Sequence, residues 1–517
     1  MSDECLQAAA DDERDEPSAR NEGAGQATHR ARVPDAIIGL AAAGSSVLFQ
    51  GLLHLAAPNA PFAPFSLAEF TIRHLPGELA TGAIELLGHW ALRLTGLGAI
   101  LVALGVGVVL RRRSPHALAL AALVVTLGAA ALDPTHPDIL ASLAAALVGG
   151  VGALVAAAPL REWRSGGGAQ FDAGRRQLLA AGIWSLGVAV LGSGAFWRVV
   201  HPLASATVTA DLPFNVALDP TFEAVPGLSA LVTARADHYE VEIDLEPPAV
   251  SDQGWQLRVH GGVSHPLALS LGSLREMPTV ERLINMSCIS NTIGGPLVGD
   301  SLWTGVSLSA LLNWAAPTLG AHTLIARGAD GYFDAMPLDV ARLPDVLVAI
   351  AMNGELLPRE HGFPARLLIP GRYGFKSVKW LEELVIVTTS PMGYWEQRGW
   401  DGAGVIRTES RFDVPVDHSK VSSPFVAAGV AWAGTRGIAR VEVSPDDGRS
   451  WHAAELETMA DVPSWRRWRI ALDLAPGVHP LSVRATDGIG RLQDAIYRTP
   501  HPSGTSGYHR IVVTVAS

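Results

Sequence analysis

The sequence predicts a multi-domain chain: a five-helix transmembrane anchor, then a mixed α+β domain, then a C-terminal β-sandwich. Three observations carry this. With 517 residues, 48% of them apolar and only 17% charged, and a mean hydropathy of +0.24, the composition demands membrane spans beside soluble domains. The apolar excess is concentrated in long runs between Pro34 and Trp197. Beyond Trp197 it gives way to short β-rich runs, first irregular and then at near-even spacing.

Residues 1–32 are polar and acidic, with Asp11, Asp12, Glu13, Asp15 and Glu16 close together, and read as a disordered cytoplasmic tail rather than a signal peptide. The membrane region, 33–198, contains apolar runs at 34–57, 83–110, 117–132, 139–159 and 177–197, most of them near the length a bilayer core requires. Arg30 and Arg32 precede the first run, Arg111, Arg112 and Arg113 follow the second, and Arg161, Arg164, Arg175 and Arg176 lie between the fourth and fifth. The loops at 58–80 and 133–138 hold few basic residues. Under the positive-inside rule the N-terminus is cytoplasmic, the chain is multi-pass, and everything after about residue 198 lies outside. The fifth run opens Arg175-Arg176-Gln177-Leu178-Leu179, which fits a twin-arginine export signal and equally a plain positive-inside anchor. His54 and His89, near the outer ends of the first two runs, could hold a haem b between them. A pair of interfacial histidines is the stronger reading.

After the spans, short β-rich runs at 255–259, 323–326, 347–351, 367–369 and 384–388, with helices at 270–275 and 308–315, describe an α+β domain over about 225–413. From 414 the strands alternate with turns such as Pro445-Asp446-Asp447-Gly448 and Asp487-Gly488. Runs at 425–433, 438–444, 468–474, 479–486 and 508–515 make an immunoglobulin-like sandwich over 414–517 the natural expectation, serving packing or dimerisation.

A net charge of −11, with no basic patch interleaved with aromatics, argues against a nucleic-acid partner. Only Cys5 and Cys288 occur, so no disulfide can staple the folded part. Cys288 sits among small polar residues, Asn285-Met286-Ser287-Cys288-Ile289-Ser290-Asn291, before the turn Gly294-Gly295-Pro296. A lone cysteine is usually an inert buried hydrophobe; in a close-approach loop its thiolate suits a soft metal such as molybdenum. A second cluster gathers His361, Arg366, Arg372, Lys376 and Lys379 among glycines, a set suited to an anionic, phosphate-bearing ligand. A basic surface loop would explain the charges but not their lodging between apolar strands.

The stretches 285–312, 352–366 and 370–380 together resemble the successive core motifs of the sulfite-oxidase family of molybdenum-cofactor enzymes, in its prokaryotic membrane-anchored branch. The resemblance extends over roughly 225–515. Val441-Glu442-Val443-Ser444-Pro445-Asp446-Asp447-Gly448 and Arg484-Ala485-Thr486-Asp487-Gly488 look like that family's dimerisation module, which implies a homodimer. The resemblance further implies a molybdopterin held on molybdenum with Cys288 as metal ligand, and His361, Arg366 and Lys379 as cofactor contacts, with Arg372 and Lys376 as weaker ones. It also implies a cofactor-facing acid at Asp330, Asn291 and Tyr332 at the mouth, and His238 and Tyr239 against the pterin.

One departure matters. Sulfite oxidases follow the ligand cysteine with Gly-Asn-Arg-Arg, whereas Ile289-Ser290-Asn291-Thr292-Ile293 follows Cys288 here. The positive charge that would hold a sulfite dianion is missing from that loop. A small S- or N-oxide therefore stands beside a sulfite-like anion as substrate. Because the chain has no Cys-X-X-Cys-His site and no cysteine set for an iron–sulfur cluster, electrons must pass to a separate cytochrome or to quinone.

Two other classes compete with this reading. Gly299-Asp300-Ser301-Leu302 spells an esterase nucleophile block, but the residues three before His361, His418, His452 and His509 are Pro358, Pro415, Arg449 and Ser506. None supplies the aspartate such a site needs. A non-catalytic, membrane-anchored surface binding protein would tolerate loss of Cys288 and hold no metal.

Overall fold

The computed structural model describes residues 35–164 and 216–516, apart from breaks at 57–59, at several positions between 77 and 89, and at 111, 133–138, 246 and 459–460. The acidic tail, the fifth apolar run with Arg175-Arg176, and His89 lie outside the described residues.

In the N-terminal region the helices are α1 (Asp35–Ala56), α2 (Ala63–His74), α3 (Trp90–Val109), α4 (Pro115–Leu132) and α5 (Ile139–Arg164). Among the described residues, three of these, α1, α4 and α5, are long and apolar enough to cross a membrane. The second expected run corresponds to α3, whose apolar stretch among the described residues is Leu94–Val109. Leu101, Leu120, Val124, Leu140 and Leu147 point outward, as side chains facing lipid would. The expected loop at 58–80 contains α2, which sequence periodicity missed. Pro64 in its first turn is pre-set for a helix, and Glu69 and Arg73, four residues apart, share its buried face.

The α+β part has two sheets. One runs β2-β1-β10-β5-β6, where β1 is Leu257–Gly261, β2 Leu267–Leu269, β5 Thr323–Gly328, β6 Phe333–Pro337 and β10 Leu381–Val387. The other runs β3-β4-β7-β8 with β9 also on β7, where β3 is Thr279–Ser287, β4 Val298–Ser307, β7 Leu347–Met352, β8 Glu355–Leu356 and β9 Arg366–Leu368. The core between them is apolar, with Leu257, Leu324, Val348 and Leu384 fully buried beside Leu308 and Leu312 of helix Leu308–Ala315. Strand β7 is buried along its whole length, hence its unbroken run Leu-Val-Ala-Ile-Ala-Met rather than an alternating one.

The C-terminal part is two further sheets around Val441, Val443, Trp468, Leu481 and Val483. The first is β11-β13-β17-β16 and the second β12-β19-β18-β14-β15. These are β11 (Glu409–Val414), β12 (Lys420–Val421), β13 (Phe425–Trp432), β14 (Ile438–Ser444), β15 (His452–Ala453), β16 (Glu455–Leu456), β17 (Arg466–Leu472), β18 (Gly477–Asp487) and β19 (His509–Val515).

Candidate active site

Strand β3 delivers Cys288 at its end, and the chain turns back into β4 ten residues later. The Cys288 amide donates to the Leu297 carbonyl at 2.9 Å, and Asn291 braces the loop by accepting the Leu297 amide on Oδ1 at 2.9 Å. Burial pushes the Cys288 thiol up, against the hydrogen bonding of Ser290. A thiol kept neutral in this way becomes a ligand when a cation displaces its proton.

The thiol opens onto a narrow cavity of about 100 Å³. Two kinds of surface line it. His238, Tyr239, His361, Arg366 and Lys379 make a basic, aromatic side. Met286, Ile289, Tyr332, Phe375, Trp395 and Trp400 supply the apolar lining, and Asp330 and Glu242 are its acids.

Arg366 is the most informative residue. It is only 4% exposed, yet among the described residues its guanidinium meets no carboxylate. Nη1 donates to the His361 carbonyl and Nη2 to the Ser377 carbonyl, both at 3.2 Å, Nε has no partner, and the plane lies 5.2 Å from the Trp303 ring. Burial lowers its pKa to about 10. A buried cation satisfied only by carbonyls is short of an anion.

The imidazoles beside it are held neutral. His238 falls to about 3 through burial first and the charge of Arg366 second; its Nε2 is buried without a partner. His361, edge-on to it at 5.2 Å, is also pushed down by burial, and its Nε2 lies 3.2 Å from the Arg235 carbonyl. The space is made by glycines: a Cβ on Gly299 would come within 2.7 Å of His238, and one on Gly374 would strike the Tyr239 hydroxyl. Lys379 pairs with Glu242 at 2.7 Å and lies over Trp380. The Asp330 carboxylate accepts the Tyr332 amide at 3.0 Å, and burial raises it to about 6. The Tyr332 hydroxyl donates to the Phe375 carbonyl at 2.7 Å.

The structure thus brings His238, Tyr239, Cys288, Asp330, Tyr332, His361, Arg366 and Lys379 together around one cavity. Three expected residues stand off it. Lys376 is drawn into a buried network with Asp334 at 2.8 Å and Glu396 at 3.3 Å. Arg372 donates outward to the Ala403 carbonyl, and Asn291 uses its Oδ1 on its own loop while its buried Nδ2 has no partner. Sequence reading missed Glu242, Trp395 and Trp400. The aromatic density of Tyr394-Trp395 and Trp400 was a usable signal, whereas Glu242 carried none. His54 lies against the Ala60 carbonyl at 2.7 Å and packs on Phe62 and Phe65, a local role, and its expected haem partner His89 is outside the described residues.

Residues 244–395 match the model of the oxidoreductase molybdopterin binding domain, and 403–515 that of the Mo-co oxidoreductase dimerisation domain. An uncharacterized oxidoreductase of Bacillus subtilis, YuiH, is 32% identical over 31% of this chain and 78% of its own length. The chain belongs to the sulfite-oxidase family of molybdenum-cofactor oxidoreductases. Within this family, sulfite oxidase of Gallus gallus is 32% identical over 44% of this chain and 59% of that protein, and the mitochondrial enzyme of Homo sapiens 27% identical over 53% and 60%. The chain therefore spans about three fifths of these curated relatives. The solved sulfane dehydrogenase SoxCD of Paracoccus pantotrophus, at 24% identity and a TM-score of 0.50, covers 60% of this chain and 91% of that one and shares the fold.

The residues present fit the family's cofactor. A soft thiol, an unpaired buried guanidinium, two neutral imidazoles and glycine-made space meet the needs of a metal and an anionic, phosphate-bearing pterin.

Proposed function

We propose that this chain is a membrane-anchored oxidoreductase that carries out two-electron oxygen-atom transfer on a small substrate outside the cytoplasmic membrane, with Cys288 as the metal ligand. The observation that carries it is the buried, anion-deficient Arg366 beside His238 and His361, in the same cavity as the Cys288 thiol. When bound, the molybdenum cofactor supplies a metal that exchanges two electrons and an oxygen atom. The chain's own residues do the rest. Arg366, His238, His361 and Lys379 hold the anionic cofactor, Tyr239 packs beside it, and the Trp395 and Trp400 rings keep water from the apolar side. Asp330 and the Tyr332 amide and hydroxyl define the wall.

Substrate class follows from the uncompensated cations. Lys379 is already paired with Glu242, Arg366 lies on the cofactor side, and the loop after Cys288 brings no charge. An uncharged S- or N-oxide therefore suits the remaining Met/Ile/Phe/Trp surface better than a sulfite-like dianion. Export of the domain is supported by geometry: Glu69 and Arg73, in the segment that the arginine bias places outside, touch the soluble domain at Leu245 and Asp244. The C-terminal sheets, read as an immunoglobulin-like sandwich, would pair two copies, and a cytochrome or quinone would exchange the electrons.

The test is to purify the full chain in detergent from molybdate-supplied cells and measure molybdenum and pterin by mass spectrometry, beside Cys288→Ser. Near-stoichiometric contents are expected, with the metal disturbed in the variant. The reduced protein should be reoxidised by S- or N-oxides. Reduction by sulfite instead would reverse the substrate assignment. Absence of both metal and pterin would overturn this reading and favour the non-catalytic binding protein.

A further inference from the structure

The cavity shares a wall with the membrane region. Val241, Glu242 and Ile243 line it, and the next two residues, Asp244 and Leu245, are gripped by helices that precede the soluble domain in the chain. From α2, Arg73 donates through Nη2 to Asp244 Oδ1 at 2.5 Å and to the backbone carbonyl of Asp330 at 2.6 Å. One turn earlier Glu69 accepts the Leu245 amide at 3.3 Å. The Leu245 side chain reaches α3, where a Cβ on Gly96 would stand 3.4 Å from its Cδ2. Arg398, in the segment that carries the lining residues Trp395 and Trp400, donates to the Arg73 carbonyl and stacks on Tyr394.

Arg73 and Asp244 keep side-chain exposures of 10% and 2%. Arg73 Nε and Asp244 Oδ2 are buried with no partner of their own, so the pair depends on its one contact; taking two charges this far from water is costly, and a tether that merely kept a domain near a membrane would need neither. The same guanidinium bonds to two parts of the cavity wall that are far apart in sequence, the 241–245 segment and the turn Ala329–Tyr332.

We propose that Arg73 is a positioning residue of the active site, through which the membrane region fixes the Asp244 segment and the Asp330 turn against each other. The inference rests on reading the cavity as the cofactor site. The anchor is then a working part of the enzyme. Loss of Arg73 leaves Asp244 buried without its cation and frees both wall segments, so that Glu242, Ile243 and Asp330 no longer keep their places.

The test uses the full chain in detergent with Arg73→Gln, Arg73→Lys and Gly96→Val. Hydrogen–deuterium exchange is followed by mass spectrometry over 241–246 and 328–333, and the paramagnetic spectrum of the one-electron-reduced molybdenum is recorded. Arg73→Gln is expected to raise exchange in both segments about tenfold, since a lost charge-assisted hydrogen bond is worth about 1.5–3 kcal/mol, and to change the spectrum. Arg73→Lys should recover part of both effects. Gly96→Val keeps every charge and should loosen 241–246 alone, which leaves a test standing if Arg73→Gln does not fold. Wild-type exchange in both segments with an unchanged spectrum would overturn the proposal. So would a uniform rise that includes the distant C-terminal sheets, which would make Arg73 a general stability residue. Wild-type protein without molybdenum would instead sink the functional reading, and the exchange comparison would still decide the positioning role.

Discussion

Arg366 and His238 are costly to the fold by themselves, and that cost identifies what they await. A buried guanidinium facing carbonyls, with an unpartnered Nε, is a net loss until an anion arrives. Arg366→Gln is accordingly expected to weaken cofactor retention tenfold or more, the effect of losing a charge-assisted contact worth about 1.5–3 kcal/mol. The cofactor-free variant should unfold no earlier than the cofactor-free wild type. Measured pterin content and thermal midpoints of both forms check this, and a variant equally destabilised with and without cofactor would make Arg366 a structural residue. His238 gives a pH signature. Its folded pKa near 3 lies below its ordinary 6.5, so in acid the unfolded chain takes up a proton that the folded chain refuses. The stability it contributes is present above pH 6.5 and is lost as pH falls toward 3, at up to about 1.4 kcal/mol per unit. Denaturant unfolding of the cofactor-free chain should show a flatter dependence between pH 6 and 4 for His238→Gln than for wild type.

At the scale of elements, the site depends on how closely strands and turns approach one another. Gly374 opens a short helical turn whose backbone lies against the Tyr239 hydroxyl; no side chain fits there. Gly374→Ala should displace Tyr239 and lower cofactor content several-fold while leaving the secondary structure seen by circular dichroism unchanged. An unaffected cofactor content would show that Tyr239 has no part in binding. How far such features are legible in the sequence follows from their range. The helix at Leu308–Ala315 and strand β14 at Ile438–Ser444 coincide with the periodicities that predict them, because Leu308, Leu311, Leu312 and Ala315 share one buried helix face and Val441 and Val443 alternate into the sandwich core. Strands β3 and β4 escaped, since Asn285, Ser287, Asp300, Ser301 and Thr304 are buried polar residues that interrupt the apolar pattern. In the basic cluster, sequence gives the charges but not their partners. Lys376 and Lys379 look alike on paper, yet one is taken by Asp334 and Glu396 and the other reaches the cavity beside Glu242. Helix α2 and its Arg73 were hidden because their partners lie 171 and 257 residues away.

For the molecule as a whole, the C-terminal sheets brace the loop that presents Cys288. Arg411 of β11 donates through Nη1 to the Gly295 carbonyl at 2.9 Å and through Nη2 to Ser229 Oγ at 3.0 Å, with Asp413 on its Nε at 2.8 Å. His509 of β19 accepts the Phe412 amide at 3.0 Å and fills the space over Gly294. From the other side the Asn285 amide donates to the Pro463 carbonyl at 2.9 Å, and the Leu283 amide to Asp461 at 3.2 Å. Strand β3 and the turn after Cys288 are thus clamped at both ends by residues outside the molybdopterin-binding stretch 244–395, so the two parts should behave as one cooperative unit rather than as a catalytic domain with an independent appendage. Arg411→Ala removes the clamp at Gly295 and leaves the partly buried Asp413 with only the Ser229 amide, the loss of a charge-assisted contact worth about 1.5–3 kcal/mol. Molybdenum content should fall well below that of wild type, with faster hydrogen exchange over 289–297, although no cavity residue has been altered. Full metal content with wild-type exchange in that loop would show that the sheets serve association between copies and contribute nothing to the metal site.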